Sequence, residues 1–325
     1  MQRRELLGWA AAASMLPAAA TAQTAAGGTL RLLVPFPQGG ATDITARALT
    51  APLARLLGFP VVVENRPGAA GATCMQEVAA ARPDGMTLGM ATLSTHGVNP
   101  AVYKQLPYDA LKGFTPVTEV VKAPGVLVVH PSVPAQDFGQ FIRLLKAQPG
   151  KIAYASPGNG TIGHMWAELL QSTTGTSMAH VPYRGSAPAL ADLLAGKVQV
   201  YCDQVASSLP HIQSGKLRAL AVSWKERLAV LPRVPTYAEL SLFTNNDPSW
   251  FGLVGPAGMP AALARSRRDA VAQALQDPAV RQQLAEQGLF PAASMPDEFG
   301  HLIQKEVEKM RRVSRFARIE LAAAP

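Results

Sequence analysis

Leu30-Arg31-Leu32-Leu33-Val34-Pro35-Phe36-Pro37-Gln38-Gly39-Gly40-Ala41-Thr42-Asp43 carries the plan on which the chain is built. Its first five residues form a short apolar run of strand length. A glycine-bearing turn follows. Thr42 or Asp43 can then cap a helix that places Leu49, Leu53, Leu56 and Leu57 on one stripe. Gly58 fits the left-handed cap that ends such a helix. The same plan returns at 152–155, with the loop Ser156-Pro157-Gly158-Asn159-Gly160 and a helix from near Thr161 to 174.

Outward from the first copy, strands at 61–64 and 87–91 flank a helix over 71–81. The order strand, helix, strand, helix, strand predicts a parallel sheet with right-handed crossovers. A second series places strands at 126–129, 152–155, 198–201 and 217–222, and helices at 138–147, 162–174 and 186–194. After Pro235 come a strand at 250–254, one or two helices within 260–287 and another at 296–317. A chain of 325 residues exceeds what one core usually holds, so two α/β lobes are expected. Chain crossings near 123–130 and 223–235 assign 23–125 and 235–325 to lobe 1 and 126–234 to lobe 2.

Apolar residues make up 48% of the chain and charged residues 16%, a globular composition. The net charge of +8 is scattered. Its densest stretch, Lys305 to Arg318, is interrupted by Glu306 and Glu308 and reads as a solvated helix face, so no nucleic acid partner is implied. Arg3 and Arg4, the apolar run 6–20 and Ala20-Thr21-Ala22 have the layout of an export signal over 1–22. The arginine pair also fits a twin-arginine address. No later stretch is long enough to span a membrane. Cys74 and Cys202 fall in different lobes, where a bridge would restrain motion, and are read as buried free thiols. No Cys/His spacing implies a metal, and no motif implies a cofactor.

Both glycine-rich loops lie at the carboxyl end of a strand and the amino end of a helix, where open α/β sheets bind ligands. Glycine allows close backbone approach, and the helix start offers free N–H groups that favour an anion. The candidate ligand-binding residues are Phe36, Gly39, Gly40, Ala41, Thr42 and Asp43 in the first loop, and Ser156, Gly158, Asn159, Gly160 and Thr161 in the second. Neither loop contains Lys or Arg, so recognition would rest on backbone N–H groups, hydroxyls and water. Asp203 follows a strand end and either reaches the ligand or caps the next helix. Ser94, Thr95 and His96 also follow a strand end; Ser94 is a further candidate ligand-binding residue, and no GxSxG elbow supports catalysis by Ser94 with His96.

These residues resemble the Bug-type, or TctC, substrate-binding proteins of tripartite tricarboxylate transporters. The resemblance is carried by Val34 to Asp43, Glu64-Asn65-Arg66-Pro67-Gly68-Ala69, Pro83-Asp84-Gly85, Asn99-Pro100 and Ser156 to Thr161. It continues through His180-Val181-Pro182-Tyr183-Arg184-Gly185-Ser186, Gly215 to Leu220, Val234-Pro235-Thr236 and Trp250-Phe251-Gly252-Leu253. It implies a type II periplasmic-binding-protein fold, two lobes on a hinge with a ligand cleft between them. It implies a monomer that binds a small carboxylate and serves membrane permease subunits, or a sensor that presents its closed form to a receptor, and not an enzyme. It also implies that the two loops hold the ligand carboxylates. Trp166, Cys202 and the stretch 243–249 depart from the family pattern; Trp166, one turn beyond the second loop, is expected to narrow the cleft.

Overall fold

The computed structural model describes residues 28–319 and 321–323, so the signal expected over 1–22 lies outside the described residues. The first half runs β1 (Leu30–Val34), α1 (Ala41–Leu57), β2 (Val61–Asn65), α2 (Ala72–Ala79), β3 (Thr87–Thr92), α3 (Asn99–Val102), β4 (Tyr103–Gln105) and β5 (Phe114–Ala123). The middle runs β6 (Gly125–Val129), α4 (Phe138–Ala147), β7 (Ala153–Ser156), α5 (Ile162–Thr174), β8 (Ala179–Pro182), α6 (Ser186–Leu194), β9 (Val200–Gln204), α7 (Val205–Gln213) and β10 (Arg218–Ser223). The chain ends with β11 (Ser249–Pro256), α8 (Ala261–Ala274), α9 (Pro278–Glu286), β12 (Phe290–Pro291), α10 (Pro296–Phe316) and β13 (Leu321–Ala323).

Two main sheets result. One has the order β12-β5-β11-β3-β1-β2, and the other β10-β6-β9-β7-β8. The expected parallel sheet is only part of the first. β1 pairs in parallel with β2 and β3, but β11 runs antiparallel between β3 and β5. The insertion follows from the path: Pro124 alone separates β5 from β6, and the chain returns to the first sheet only at β11 after building the second. In the second sheet β7 is parallel to β8 and β9, while β6 is antiparallel to β9 and β10.

Burial explains these elements. β1 is covered on both faces, with Leu32, Leu33 and Val34 fully buried, as its largely apolar run, broken only by Arg31, leads one to expect. α1 ends at Gly58 in the left-handed conformation (φ 75°), and Asp137 caps α4 by accepting from the Gln140 N–H. Cys74 and Cys202 are both buried free thiols. Trp166 does not line the cleft cavity. Its ring lies against Gly125, where a Cβ would sit 2.8 Å from it, so it packs where the chain crosses between sheets.

Candidate functional site

Four loops meet around one cavity of about 510 Å³. Two follow the neighbouring parallel strands β1 and β2, and two follow the neighbouring parallel strands β7 and β8. They contribute Phe36 and Pro37, Pro67 to Gly71 with Thr73, Pro157 to Asn159, and Pro182 to Gly185. Both glycine-rich loops are thus brought together from opposite lobes, at the carboxyl edges of their sheets.

Of the expected residues, Phe36, Gly158 and Asn159 line the cavity. Gly39 is in the left-handed region (φ 87°), and its N–H donates to Asp43 Oδ2 at 3.0 Å. Gly40 faces the other lobe, since a Cβ there would lie 3.8 Å from Ser186 Cβ. Ala41, Thr42 and Asp43 are buried in the first turn of α1. Asp43 is fully engaged: it also accepts from Arg47 Nε at 2.9 Å and Asn65 Nδ2 at 2.9 Å. Burial opposes its charge, but these donors hold its carboxyl below the usual range. It therefore shapes the first loop from behind.

The second loop is braced in the same way. Ser156 Oγ is hydrogen-bonded to His180 Nε2 at 2.7 Å and accepts from the Gly158 N–H at 3.2 Å. Thr161 Oγ1 donates to Gly158 O at 2.7 Å. Gly160 (φ 73°) donates to His164 Nδ1 at 3.4 Å, and the His164 ring stacks on His180 at 4.4 Å. Burial and the neighbouring ring push His180 down to about 3, so this base of stacked rings is neutral.

Hydrogen bonds join the two sides of the cleft. Tyr103 Oη donates to Asn159 O at 2.7 Å, and Ser94 Oγ accepts from the Ile162 N–H at 3.0 Å. Tyr103 also packs on Gly160, and Pro37 on Gly185, where added Cβ atoms would come within 2.5 and 2.3 Å. The lobes are therefore in contact at the rim of the cavity. Ser94 joins the lobes rather than pairing with His96. The His96 ring is 0% exposed, bonds Thr95 Oγ1 through Nδ1, and burial pushes it down to about 3. That environment offers no general base to Ser94.

Asp203 does not line the cavity. It is 1% exposed and accepts from Ser207 Oγ at 2.7 Å and Ser208 Oγ at 2.8 Å, with Ser186 Oγ 3.5 Å away. Burial pushes it up to about 6, against those hydroxyl donors. It ties the starts of α6 and α7 together, although Gln204 holds the cap position of α7.

Sequence reasoning missed the loops after β2 and β8. The latter was legible, because Pro182-Tyr183-Arg184-Gly185-Ser186 repeats the plan of strand, glycine and helix start. The former was not: Gly68, Ala69, Ala70 and Gly71 all have positive φ, and two alanines give no signal of it.

Residues 45–317 match the family model described as "Tripartite tricarboxylate transporter family receptor", TctC. The chain belongs to this family. Protein BugT of Bordetella pertussis is 36% identical over 287 residues, 88% of each chain. Among solved structures, R. palustris Rpa4515 with adipate is 32% identical at a TM-score of 0.87, covering 90% of this chain and 98% of that one. MatC from Rhodopseudomonas palustris with bound malate is 33% identical at 0.84, covering 88% and 98%. The protein is thus a periplasmic solute-binding protein of the TctC and Bug kind, with the two-lobed fold that the resemblance implied.

Proposed function

We propose that this TctC protein captures a small dicarboxylate in the periplasm and delivers it unchanged to membrane permease subunits, with residues 1–22 as its export signal. The lobes are taken as 23–125 with 235–325, and 126–234. One observation carries the reading: two glycine-bearing loops at helix starts face each other across a 510 Å³ cavity. That volume suits a small organic acid. The starts of α1 and α5 favour an anion. Structures of relatives that hold adipate and malate support the same ligand class.

Thermal unfolding of the mature protein against mono-, di- and tricarboxylates tests this. A ligand at 100 times its Kd adds about 2.7 kcal/mol of stability. For a chain of this length that raises Tm by about 4 °C. No shift with any acid, in protein shown by mass spectrometry to carry no ligand, would refute the carboxylate reading.

A further inference from the structure

We propose that Arg184 receives a second anionic group of the ligand and so makes the cleft selective for dicarboxylates over monocarboxylates. The inference rests on the carboxylate-binding reading above. Arg184 is the one charged residue among those that line the cavity; the others are Gly, Ala, Pro, Phe, Tyr, Thr and Asn. Its side chain is exposed and has no hydrogen bond or ion pair within the described residues. An acid on the following helix does not compete for it, because Asp192 already binds Lys197 Nζ at 3.0 Å and Tyr183 Oη at 2.9 Å.

The backbone on either side of Arg184 is fixed. The Tyr183 N–H donates to Ser156 O at 2.9 Å, and the Gly185 N–H to Pro157 O at 3.0 Å. Both bonds fasten this loop to the neighbouring glycine-rich loop of its own lobe. On its far side Gly185 abuts Pro37 of the opposite lobe. The guanidinium is therefore free but rooted on a rigid rim, at the seam where the lobes meet.

The chemistry follows from the neutral lining. One carboxylate can be satisfied by backbone N–H groups of the loops and by helix starts. A second carboxylate brings another charge into the same cavity, and only Arg184 offers a counter-charge there. Its planar fork matches a carboxylate with two parallel N–H donors, whereas a lysine would supply a point charge.

Isothermal titration of the mature wild type, Arg184→Ala and Arg184→Lys tests the proposal. The probes are malate and straight-chain dicarboxylates of four to eight carbons, with monocarboxylates of matched length. The wild type is expected to prefer a dicarboxylate. Arg184→Ala should weaken that dicarboxylate about tenfold and leave monocarboxylates unchanged, with Arg184→Lys between. The Tm of the empty variants should match the wild type, because Arg184 has no partner to lose. Unchanged dicarboxylate affinity in Arg184→Ala overturns the role of Arg184 but leaves the carboxylate reading standing. Equal weakening of mono- and dicarboxylates, or a wild type that prefers monocarboxylates, overturns the selectivity. A wild type that binds none of these acids removes the carboxylate reading and this inference together.

Discussion

Gly160→Ala separates two reasons for a glycine in the second loop. Glycine there could let the ligand approach the backbone, or it could let Tyr103 of the opposite lobe approach. The structure favours the second: a Cβ on Gly160 would lie 2.5–2.9 Å from two ring carbons and the hydroxyl oxygen of Tyr103. Two effects of the substitution can be told apart. The left-handed conformation (φ 73°) penalises alanine whether or not the lobes touch, by about 1 kcal/mol, so Tm of the empty protein should fall by about 2 °C. The clash exists only when the lobes touch. Overpacking of that kind costs about 1–3 kcal/mol, so Kd should rise roughly 5- to 150-fold. Tryptophan fluorescence titration with the tightest dicarboxylate reads Kd in wild type, Gly160→Ala, Tyr103→Ala and the double variant. In the Tyr103→Ala background the Gly160→Ala substitution should change Kd less than about twofold, since the obstructing ring is gone. An equal penalty in both backgrounds would refute the reasoning and return Gly160 to direct ligand contact.

Two further outcomes follow from the site. Ser94→Ala leaves the Ile162 N–H without its partner across the cleft, a loss of about 1 kcal/mol; stopped-flow fluorescence should show dissociation about fivefold faster, and an unchanged rate would exclude a role in holding the lobes together. Asp203 has its carboxyl raised from 3.8 to about 6, so the folded state binds the extra proton and Asp203 destabilises progressively as pH rises through that window. Buried His96 and His180, lowered from 6.5 to about 3, give stability the opposite slope, rising with pH between about 3 and 6.5. The difference between Asp203→Asn and wild type cancels the histidines. It should move in favour of Asn by up to about 3 kcal/mol between pH 4 and pH 7, read from urea unfolding, and a flat difference would mean that Asp203 keeps an ordinary pKa.

The regular elements around the site were legible because burial leaves a plain mark. Leu30 to Val34 is apolar except for Arg31 and is covered on both faces; of the expected stripe Leu49 and Leu53 are buried, whereas Leu57 is only partly covered and Leu56 is exposed. Two of the elements that escaped carry a proline inside. β5 carries Pro116, which pairs opposite Val254 next to a shift in register, so the strand absorbs its missing N–H at an irregularity. α7 carries Pro210, near its last turn. The antiparallel entry of β11 was also invisible, because pairing direction is set by where the chain returns after building a second lobe.

The site divides along the same line. Local pattern located two of the four loops and could have located a third, but not the bonds that brace them. Asp43, Ser156 and Thr161 looked like ligand contacts because they are polar and sit at helix starts. In the structure each bonds its own loop: Asp43 to the Gly39 N–H, Ser156 to the Gly158 N–H and Thr161 to Gly158 O. That arrangement fixes the backbone of both loops. The contacts that Tyr103 and Ser94 make across the cleft carry no local signal, since their partners Asn159 and Ile162 lie 56 and 68 positions away. A frame of paired strands, braced loops and neutral lining is indifferent to the particular acid. On the proposed reading selectivity comes from the few side chains that the frame leaves free, and among those lining the cavity Arg184 alone carries charge.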